Sequence, residues 1–216
     1  MLPVGGRPLV EHTIRQLAAN GVREIGMNLY QNPAAVIDHF GDGQRFDVRM
    51  HYSIEPEPTG TAGALRAFRE MVADEPFFVI YGDNLTTCDF NALARAHERY
   101  GGKSTMALFW RDDVTKHSAV EVARDMRIRR FIEKPKAEEA PSHWISAGMM
   151  VLDPDVLRYI PAEGACDIGF HLFPELLRAG EPVYGYYMQD GEGLWWIDTP
   201  EDYDRISRLC EKGFPP

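Results

Sequence analysis

The feature that most constrains this sequence is the regular alternation of helix-like and strand-like segments over residues 9–110. Apolar residues recur at helical spacing from Leu9 to Leu17, and Arg23–Leu29 has the composition of a strand. A second helix is predicted from Pro33 to Phe40, followed by a half-buried strand over Val48–Ile54. Strands that alternate with helices at this spacing predict a mainly parallel sheet with helices on both faces.

The next segments continue the alternation. A third helix is predicted after Gly60-Thr61. The run Phe77–Tyr81 is short and continuously apolar, which predicts a strand buried on both faces. A helix over Phe90–Tyr100 and a strand over Thr105–Trp110 complete this part of the chain.

Beyond residue 111 the pattern changes to that of strand hairpins. The predicted elements are strands Ala119–Ala123, Arg129–Glu133 and Ile145–Leu152, a helix Gly169–Ala179, a strand Val183–Tyr187 and a helix from Pro200. A length of 216 residues suits one domain, and neither a linker nor an internal repeat divides it. The sequence therefore predicts one α/β domain over residues 1–216, with a Rossmann-like, mixed, mainly parallel sheet.

Charge and composition exclude several kinds of partner. The formal net charge is -10 and there is no run of Lys and Arg, so a nucleic-acid partner is not expected. No apolar run approaches the roughly 18 residues of a membrane span. Three widely separated cysteines (Cys88, Cys166 and Cys210) are typical of reduced thiols, which predicts a cytoplasmic protein.

Two aspartates follow predicted strands. Asp83 lies in Gly82-Asp83-Asn84, directly after the buried strand, where ligands bind in sheets of this kind. Mg²⁺ prefers one or two carboxylates together with phosphate oxygens. From these residues alone, the commoner alternative is a turn aspartate that bonds its own backbone. Asp198 is a second carboxylate at a strand end, before Thr199-Pro200.

Two further segments could bind a sugar phosphate or a flat ligand. The small residues of Pro58–Ala64 would let a ligand approach the backbone, although an ordinary capped helix start has the same composition. Glu133-Lys134-Pro135 offers a carboxylate for hydroxyl groups and an ammonium for a phosphate. The alternative here is a solvated charge pair before a proline turn. No GxSxG, Walker or GxGxxG motif occurs, and the histidines lack ligand spacing.

Taken in order, these motifs resemble those of the sugar-1-phosphate nucleotidyltransferases, from residue 2 to about residue 206. The motifs are Leu2-Pro3-Val4-Gly5-Gly6-Arg7-Pro8, Glu55-Pro56-Glu57-Pro58-Thr59-Gly60-Thr61-Ala62-Gly63, Gly82-Asp83-Asn84, Glu133-Lys134-Pro135, Ser146-Ala147-Gly148-Met149 and Ile197-Asp198-Thr199-Pro200-Glu201-Asp202-Tyr203. The Gly-Thr-Ala-Gly form at residues 60–63 is most similar to mannose-1-phosphate guanylyltransferases and related heptose-phosphate enzymes.

The resemblance implies a nucleotide-diphospho-sugar transferase fold and transfer of a nucleotidyl group from GTP to a mannose- or heptose-type 1-phosphate. The implied roles are Asp83 and Asp198 for the catalytic Mg²⁺, the Gly60 and Thr61 backbone for the base, Glu133 for sugar hydroxyls, Lys134 for the sugar phosphate and Gly148 beside the sugar ring. Direct in-line transfer needs no covalent enzyme intermediate, so positioning and charge neutralisation suffice.

The sequence departs from the family pattern in three places. Ser146 stands where the family often has asparagine, and Asp198 is followed directly by Thr199-Pro200 rather than through an intervening x-Gly. The family's first strand and Gly-x-Gly-Thr-Arg loop precede the Leu-Pro-Val motif, and Met1 stands where that segment should finish. We therefore expect poor catalysis or none from these residues alone, because the phosphate-binding loop is absent from them. Two other functions stay open: thymidylyl or uridylyl transfer to glucose 1-phosphate, and a non-catalytic sugar-nucleotide-binding or partner subunit. A homo-oligomer also stays open.

Overall fold

The structure, a computed structural model, describes residues 1–197 and 199–211. The chain divides into two compact units. The first unit comprises Met1–Ile54, Tyr81–Phe90 and the described part of Gln189–Pro216. The second comprises Glu55–Ile80 and Asn91–Met188. The single domain over residues 1–216 stays a prediction, because two compact units of one chain can belong to one domain.

The bounds of the elements follow the predicted alternation. In the described residues the strands are β1 (Pro3–Val4), β2 (Arg7–Pro8), β3 (Glu24–Leu29), β4 (Arg49–Ile54), β5 (Phe77–Ile80), β6 (Asn84–Thr86), β7 (Ser104–Trp110), β8 (Ser118–Val122), β9 (Ile128–Glu133), β10 (Trp144–Leu152), β11 (Val183–Tyr187) and β12 (Leu194–Trp196). The α-helices are α1 (Leu9–Ala19), α2 (Pro33–Phe40), α3 (Phe90–Tyr100), α4 (Phe173–Arg178) and α5 (Pro200–Glu211). No helix in this part of the chain is long and apolar enough to cross a bilayer.

Two predicted helices differ in type from the expectation. The helix after Gly60-Thr61 is a 3₁₀ helix over Gly63–Phe68, and the Ala62 and Gly63 amides at its start donate to the distant Cys166 carbonyl. The predicted helix Gly169–Ala179 begins as a π-helical turn over Ile168–Leu172 before α4. Pro174 has no amide hydrogen to donate four residues back, which disfavours regular α-helical bonding at this point.

The first unit is built on short ladders packed against α1. β3 and β4 pair in parallel, from Glu24 opposite Arg49 to Leu29 opposite Ile54. β6 and β12 pair antiparallel, with Asn84 opposite Trp196. The buried residues of one apolar cluster are Ile14, Phe40, Phe46, Val48 and Met50, and those of a second are Val4, Leu9, Leu85 and Ile206.

The second unit contains a mixed sheet. Within the described residues its strand order is β11-β7-β10-β8-β9, and β5 joins by pairing with β10. β7 and β11 are parallel, whereas β10 is antiparallel to β5, β7 and β8. β5 and β7 therefore run in the same direction but are separated by β10. The architecture is of the predicted mixed α/β class, with most direct ladders antiparallel because β10 intervenes.

The expectation that the strand near Phe77 is buried on both faces was wrong. All four residues of β5 are half-buried. By contrast, the first five residues of β7 are buried, since that strand lies between β10 and β11. A strand joined to a sheet through one neighbour, as β5 is joined through β10 in the described chain, keeps more of its surface exposed.

Candidate active site

The glycine loop, Pro58–Ala64, takes its shape from one distant backbone group. The amides of Ala62 and Gly63 both donate to the carbonyl oxygen of Cys166, at 2.9 and 2.8 Å. Gly60 has φ +81°, and a Cβ built on it would lie 2.5 Å from the same oxygen. A side chain at position 60 is therefore excluded both by backbone conformation and by space.

Thr61 ties the glycine loop to the residues after Cys166. Its hydroxyl oxygen accepts a hydrogen bond from the Ile168 amide at 2.8 Å. Its own amide donates to the Asp167 carboxylate at 3.3 Å. We refer to Cys166–Gly169 as the joining segment. In this loop Thr61 is exposed and Gly60 is half-buried, whereas Ala62, Gly63 and Ala64 are buried.

The charged turn, Glu133-Lys134-Pro135, follows β9 and has a strained backbone. Lys134 has φ +47°, which is uncommon for a residue with a side chain and costs roughly 1–2 kcal/mol. Its amide donates to the His117 carbonyl at 3.0 Å, and the Pro135 ring that follows is buried. These contacts hold the exposed Lys134 side chain at the end of the hairpin. Backbone strain of this kind concentrates at functional sites.

The Glu133 carboxylate is half-buried and held from two sides. The Ser118 hydroxyl donates a short hydrogen bond to its Oε2. Gly169 packs directly against the same oxygen, and a methyl group built on Gly169 would overlap it. The joining segment thus contacts the glycine loop through Thr61 and the charged turn through Gly169. The structure thus links Gly60 and Thr61 to Glu133, which precedes Lys134, and the shared site of these four residues stays a prediction.

Gly148 is part of an irregularity in β10. It is buried with φ +72°, and the register between β10 and β7 shifts between Ser146 and Met150. Such bulges are frequent beside active sites because they redirect neighbouring side chains. β8 lies between β10 and β9 at this end of the sheet, so Gly148 does not adjoin Glu133 along the strands.

Asp83 belongs to the first unit. It is exposed and directly precedes β6, whose first residue Asn84 lies opposite Trp196 at the end of β12. This antiparallel register places Asp83 at the same end of the ladder as Ile197. Asp198 lies outside the described residues, so its pairing with Asp83 at a metal stays a prediction.

Of the two aspartates predicted to hold Mg²⁺, the structure describes Asp83. Among the described residues, no group of three or more His, Cys, Asp or Glu side chains could enclose a metal ion. A magnesium site of one or two carboxylates completed by phosphate oxygens does not need such a cage. The exposed Asp83 carboxylate fits that arrangement.

Comparison with known proteins decides the family. The family model described as nucleotidyl transferase matches residues 1–211. The chain belongs to this nucleotidyl transferase family. It is 32% identical over 215 residues to a mannose-1-phosphate guanyltransferase of Emericella nidulans, covering 97% of the chain and 57% of the relative. It is 31% identical to a UTP–glucose-1-phosphate uridylyltransferase of Synechocystis, covering 92% of the chain and 53% of the relative.

Solved structures extend the agreement to the fold of this nucleotidyl transferase. A putative glucose-1-phosphate thymidylyltransferase from Bacillus anthracis matches with a TM-score of 0.85 at 22% identity, covering 97% of this chain and 85% of that one. HddC from Yersinia pseudotuberculosis, in complex with GMP-PN, matches with a TM-score of 0.79 at 19% identity, covering 97% and 88%. The likeness confirms the predicted fold class. The chain spans about half the length of the curated relatives it matches.

Sequence reasoning missed the roles of Ser118 and of the joining segment. Gly169 was expected only as the start of a helix, and Cys166 only as a reduced thiol. The one local signal was Gly169 immediately before a helical pattern, at a position where the structure shows no left-handed backbone that would require glycine. A glycine whose backbone is not in the left-handed region can indicate the close approach of another group. Here that group is the Glu133 carboxylate.

Proposed function

We propose that this nucleotidyl transferase chain transfers a nucleotidyl group from an NTP to a sugar 1-phosphate, giving an NDP-sugar and pyrophosphate. The observation that supports this most directly is the joining segment, Cys166–Gly169. It binds the glycine loop at one end and packs against Glu133 at the other. Accessible backbone for a base and a charged turn for a sugar phosphate therefore belong to one connected arrangement.

In this proposal the charged turn binds the acceptor. A carboxylate can only accept hydrogen bonds, so Glu133 suits the hydroxyl groups of a sugar. The Lys134 ammonium is exposed and suits the acceptor's phosphate. Gly148, in the bulge of β10, would lie beside the sugar ring. The backbone at the half-buried Gly60 and the exposed Thr61 would contact the nucleotide base.

Asp83 and Asp198 would hold Mg²⁺. The ion would supply charge neutralisation for the phosphate oxygens during the transfer. The protein side chains position the two substrates so that a phosphate oxygen of the sugar attacks the α-phosphorus of the nucleotide in line. This direct transfer requires no nucleophilic side chain of the protein.

The proposed substrates are GTP and a mannose- or heptose-type 1-phosphate. Gly60-Thr61-Ala62-Gly63 resembles the guanylyl-transferring members, and relatives named mannose-1-phosphate guanyltransferases in Emericella nidulans and Mycobacterium tuberculosis match 97% and 100% of the chain. The Synechocystis relative, named for UTP and glucose 1-phosphate, is 31% identical. Uridylyl or thymidylyl transfer to glucose 1-phosphate is therefore the second candidate. A cytoplasmic location and self-association remain predictions from the sequence.

A substrate panel tests the proposal. The purified protein is given each of the four common NTPs with several sugar 1-phosphates, and pyrophosphate release is measured with and without chelation of Mg²⁺. We expect the highest rate with GTP and a mannose- or heptose-type acceptor, and loss of the rate on chelation. A clear preference for UTP or dTTP contradicts the guanylyl assignment. Absence of both turnover and substrate binding with every pair contradicts the function itself, whereas binding without turnover favours a non-catalytic sugar-nucleotide-binding subunit. NTP without acceptor controls for hydrolysis.

A further inference from the structure

Ser118 and Glu133 are cross-strand partners. They lie directly opposite each other in the β8–β9 ladder, and side chains at such positions stand on the same face of a sheet. The Ser118 hydroxyl uses this proximity to donate to Glu133 Oε2. In the described residues Oε1 of the same carboxylate has no hydrogen-bond partner. The two oxygens of Glu133 are therefore in different surroundings.

Gly169 closes the other side of the carboxylate. A methyl group added to Gly169 would collide with Oε2 and would approach the carboxyl carbon at 2.8 Å. The φ angle of Gly169 is not in the left-handed region, so its backbone alone would accept alanine. The absence of a side chain at 169 thus serves the packing of the Glu133 carboxylate.

We propose that Ser118 and Gly169 are positioning residues that fix the Glu133 carboxylate so that Oε1 meets a hydroxyl group of the sugar 1-phosphate. The terminal torsion of a glutamate is broad, and an unrestrained carboxylate samples many orientations. The hydrogen bond from Ser118 and the close packing of the Gly169 backbone remove most of that freedom before the sugar binds. Less ordering is then needed on binding. This inference rests on the proposed function, in which Glu133 contacts the acceptor.

Replacing the hydroxyl tests the first half of the proposal. Ser118→Ala is expected to raise the KM for the sugar 1-phosphate about 5- to 10-fold, the order of one ordinary hydrogen bond, while the KM for NTP stays within about 2-fold. Ser118→Thr restores the donor and should return the acceptor KM to within about 3-fold of wild type. Ser142→Ala is the matched control, because the Ser142 hydroxyl donates to the backbone of Val120, on the same strand as Ser118.

A double-mutant cycle separates positioning from general stability. In a Glu133→Ala background, Ser118→Ala should change the acceptor KM by less than about 2-fold, because the group that it positions is gone. Gly169→Ala should raise the acceptor KM about 10-fold or more in the wild-type background and have a smaller effect beside Glu133→Ala. An undiminished effect of Ser118→Ala in the Glu133→Ala background would overturn the proposal.

Crystal structures distinguish failure of this inference from failure of the proposed function. If the wild type turns over normally and Ser118→Ala has the same kinetic constants, the positioning role alone is overturned. Wild type that neither binds nor uses any substrate pair contradicts the function. The structural claim is then judged from crystal structures, in which the Glu133 carboxylate should rotate or become disordered in Ser118→Ala but not in Ser142→Ala. A carboxylate that keeps its place in Ser118→Ala overturns the proposal.

Discussion

The glycine loop and the charged turn both contain a residue with positive φ, yet the two residues differ in kind. Gly60 has φ +81° in the glycine loop, whereas Lys134 has φ +47° in the charged turn. The loop uses the residue that adopts this conformation without strain, because the Cys166 carbonyl leaves no space for a side chain. The turn keeps a lysine, whose exposed ammonium is the proposed phosphate ligand, in spite of the strain.

This difference indicates which part of each residue is functional. In the glycine loop the backbone shape and its hydrogen bonds to Cys166 matter, so the proposed contact is with main-chain atoms. In the charged turn the side chain matters, and the backbone is held by the bond from Lys134 to the His117 carbonyl. Substitutions can therefore separate backbone roles from side-chain roles in the same protein.

The largest effect is expected from Asp83, where a side chain is proposed to act without a strained backbone. Asp83→Ala should lower kcat/KM by about 10³-fold or more, because several kcal/mol of charge neutralisation at the phosphates would be lost with the metal. The melting temperature should stay close to wild type, since Asp83 is exposed. Pyrophosphate release measures the rate. Asp190→Ala removes another exposed carboxylate of the same unit as a control, and near-normal turnover in Asp83→Ala would remove Asp83 from the site.

A change at Gly60 tests the backbone role of the glycine loop. Gly60→Ala should reduce kcat/KM for the NTP about 10²-fold, because displacement by about 1 Å suffices for such a loss. It should also lower the free energy of unfolding by about 1–3 kcal/mol through the left-handed backbone and the contact with Cys166. Gly180→Ala is the control, because Gly180 has φ +77° with no atom within 4 Å of an added Cβ. Equal kinetic effects in both variants would contradict a specific role for Gly60.

The charged turn is tested by two substitutions at one position. Lys134→Ala and Lys134→Gly should each lower acceptor efficiency about 10- to 100-fold with little change in the KM for NTP, since each removes a charged hydrogen-bond donor. The free energy of unfolding should be about 1 kcal/mol higher for Lys134→Gly than for Lys134→Ala, because glycine relieves the left-handed strain. Steady-state kinetics and chemical denaturation measure the two effects. A rise confined to the KM for NTP would show that Lys134 does not contact the acceptor.

The smallest effect is expected at Cys166, whose backbone rather than thiol binds the glycine loop. Cys166→Ala should change kcat/KM by less than about 3-fold and cost about 1 kcal/mol of stability through lost packing. Burial raises the pKa of the Cys166 thiol, so the protonated form persists at neutral pH and alkylating reagents should not modify it in the folded protein. Inactivation by alkylation at this residue, detected by mass spectrometry, would contradict a purely backbone role.

Much of the fold could be predicted because its signals are local. Pro33 begins α2 and Gly41 follows it, as the capping preferences of proline and glycine require. The apolar periodicity of α1 and α3 located both helices within two residues. The contact at the start of the 3₁₀ helix Gly63–Phe68 could not be predicted, because its amides donate to Cys166, about a hundred residues further along the chain. The half-buried state of β5 depends on strand order, which periodicity does not report.

The candidate site was predictable only where its motifs are contiguous. Glu133-Lys134 and Gly60-Thr61 each stand together in the sequence, and their charges and small side chains already indicate a ligand. Ser118 and Gly169 act on Glu133 from positions that are distant in the sequence, and neither residue type is distinctive by itself. Their roles follow from strand pairing and close packing, which local patterns do not specify.

The bulge at Gly148 restricts how this region can change in length. Between the pairs Ser146–Leu108 and Met150–Met106, four steps along β10 correspond to two along β7. Because the excess is even, residues on both sides of the bulge keep their alternation between the two faces of the sheet. Loss of one residue here would turn Trp144, Ile145 and Ser146 over and bring the buried Ile145 out of the core. Loss of two residues would straighten the strand and leave each remaining side chain on its present face. Insertions and deletions between Ser146 and Met150 should therefore be tolerated best when they involve two residues.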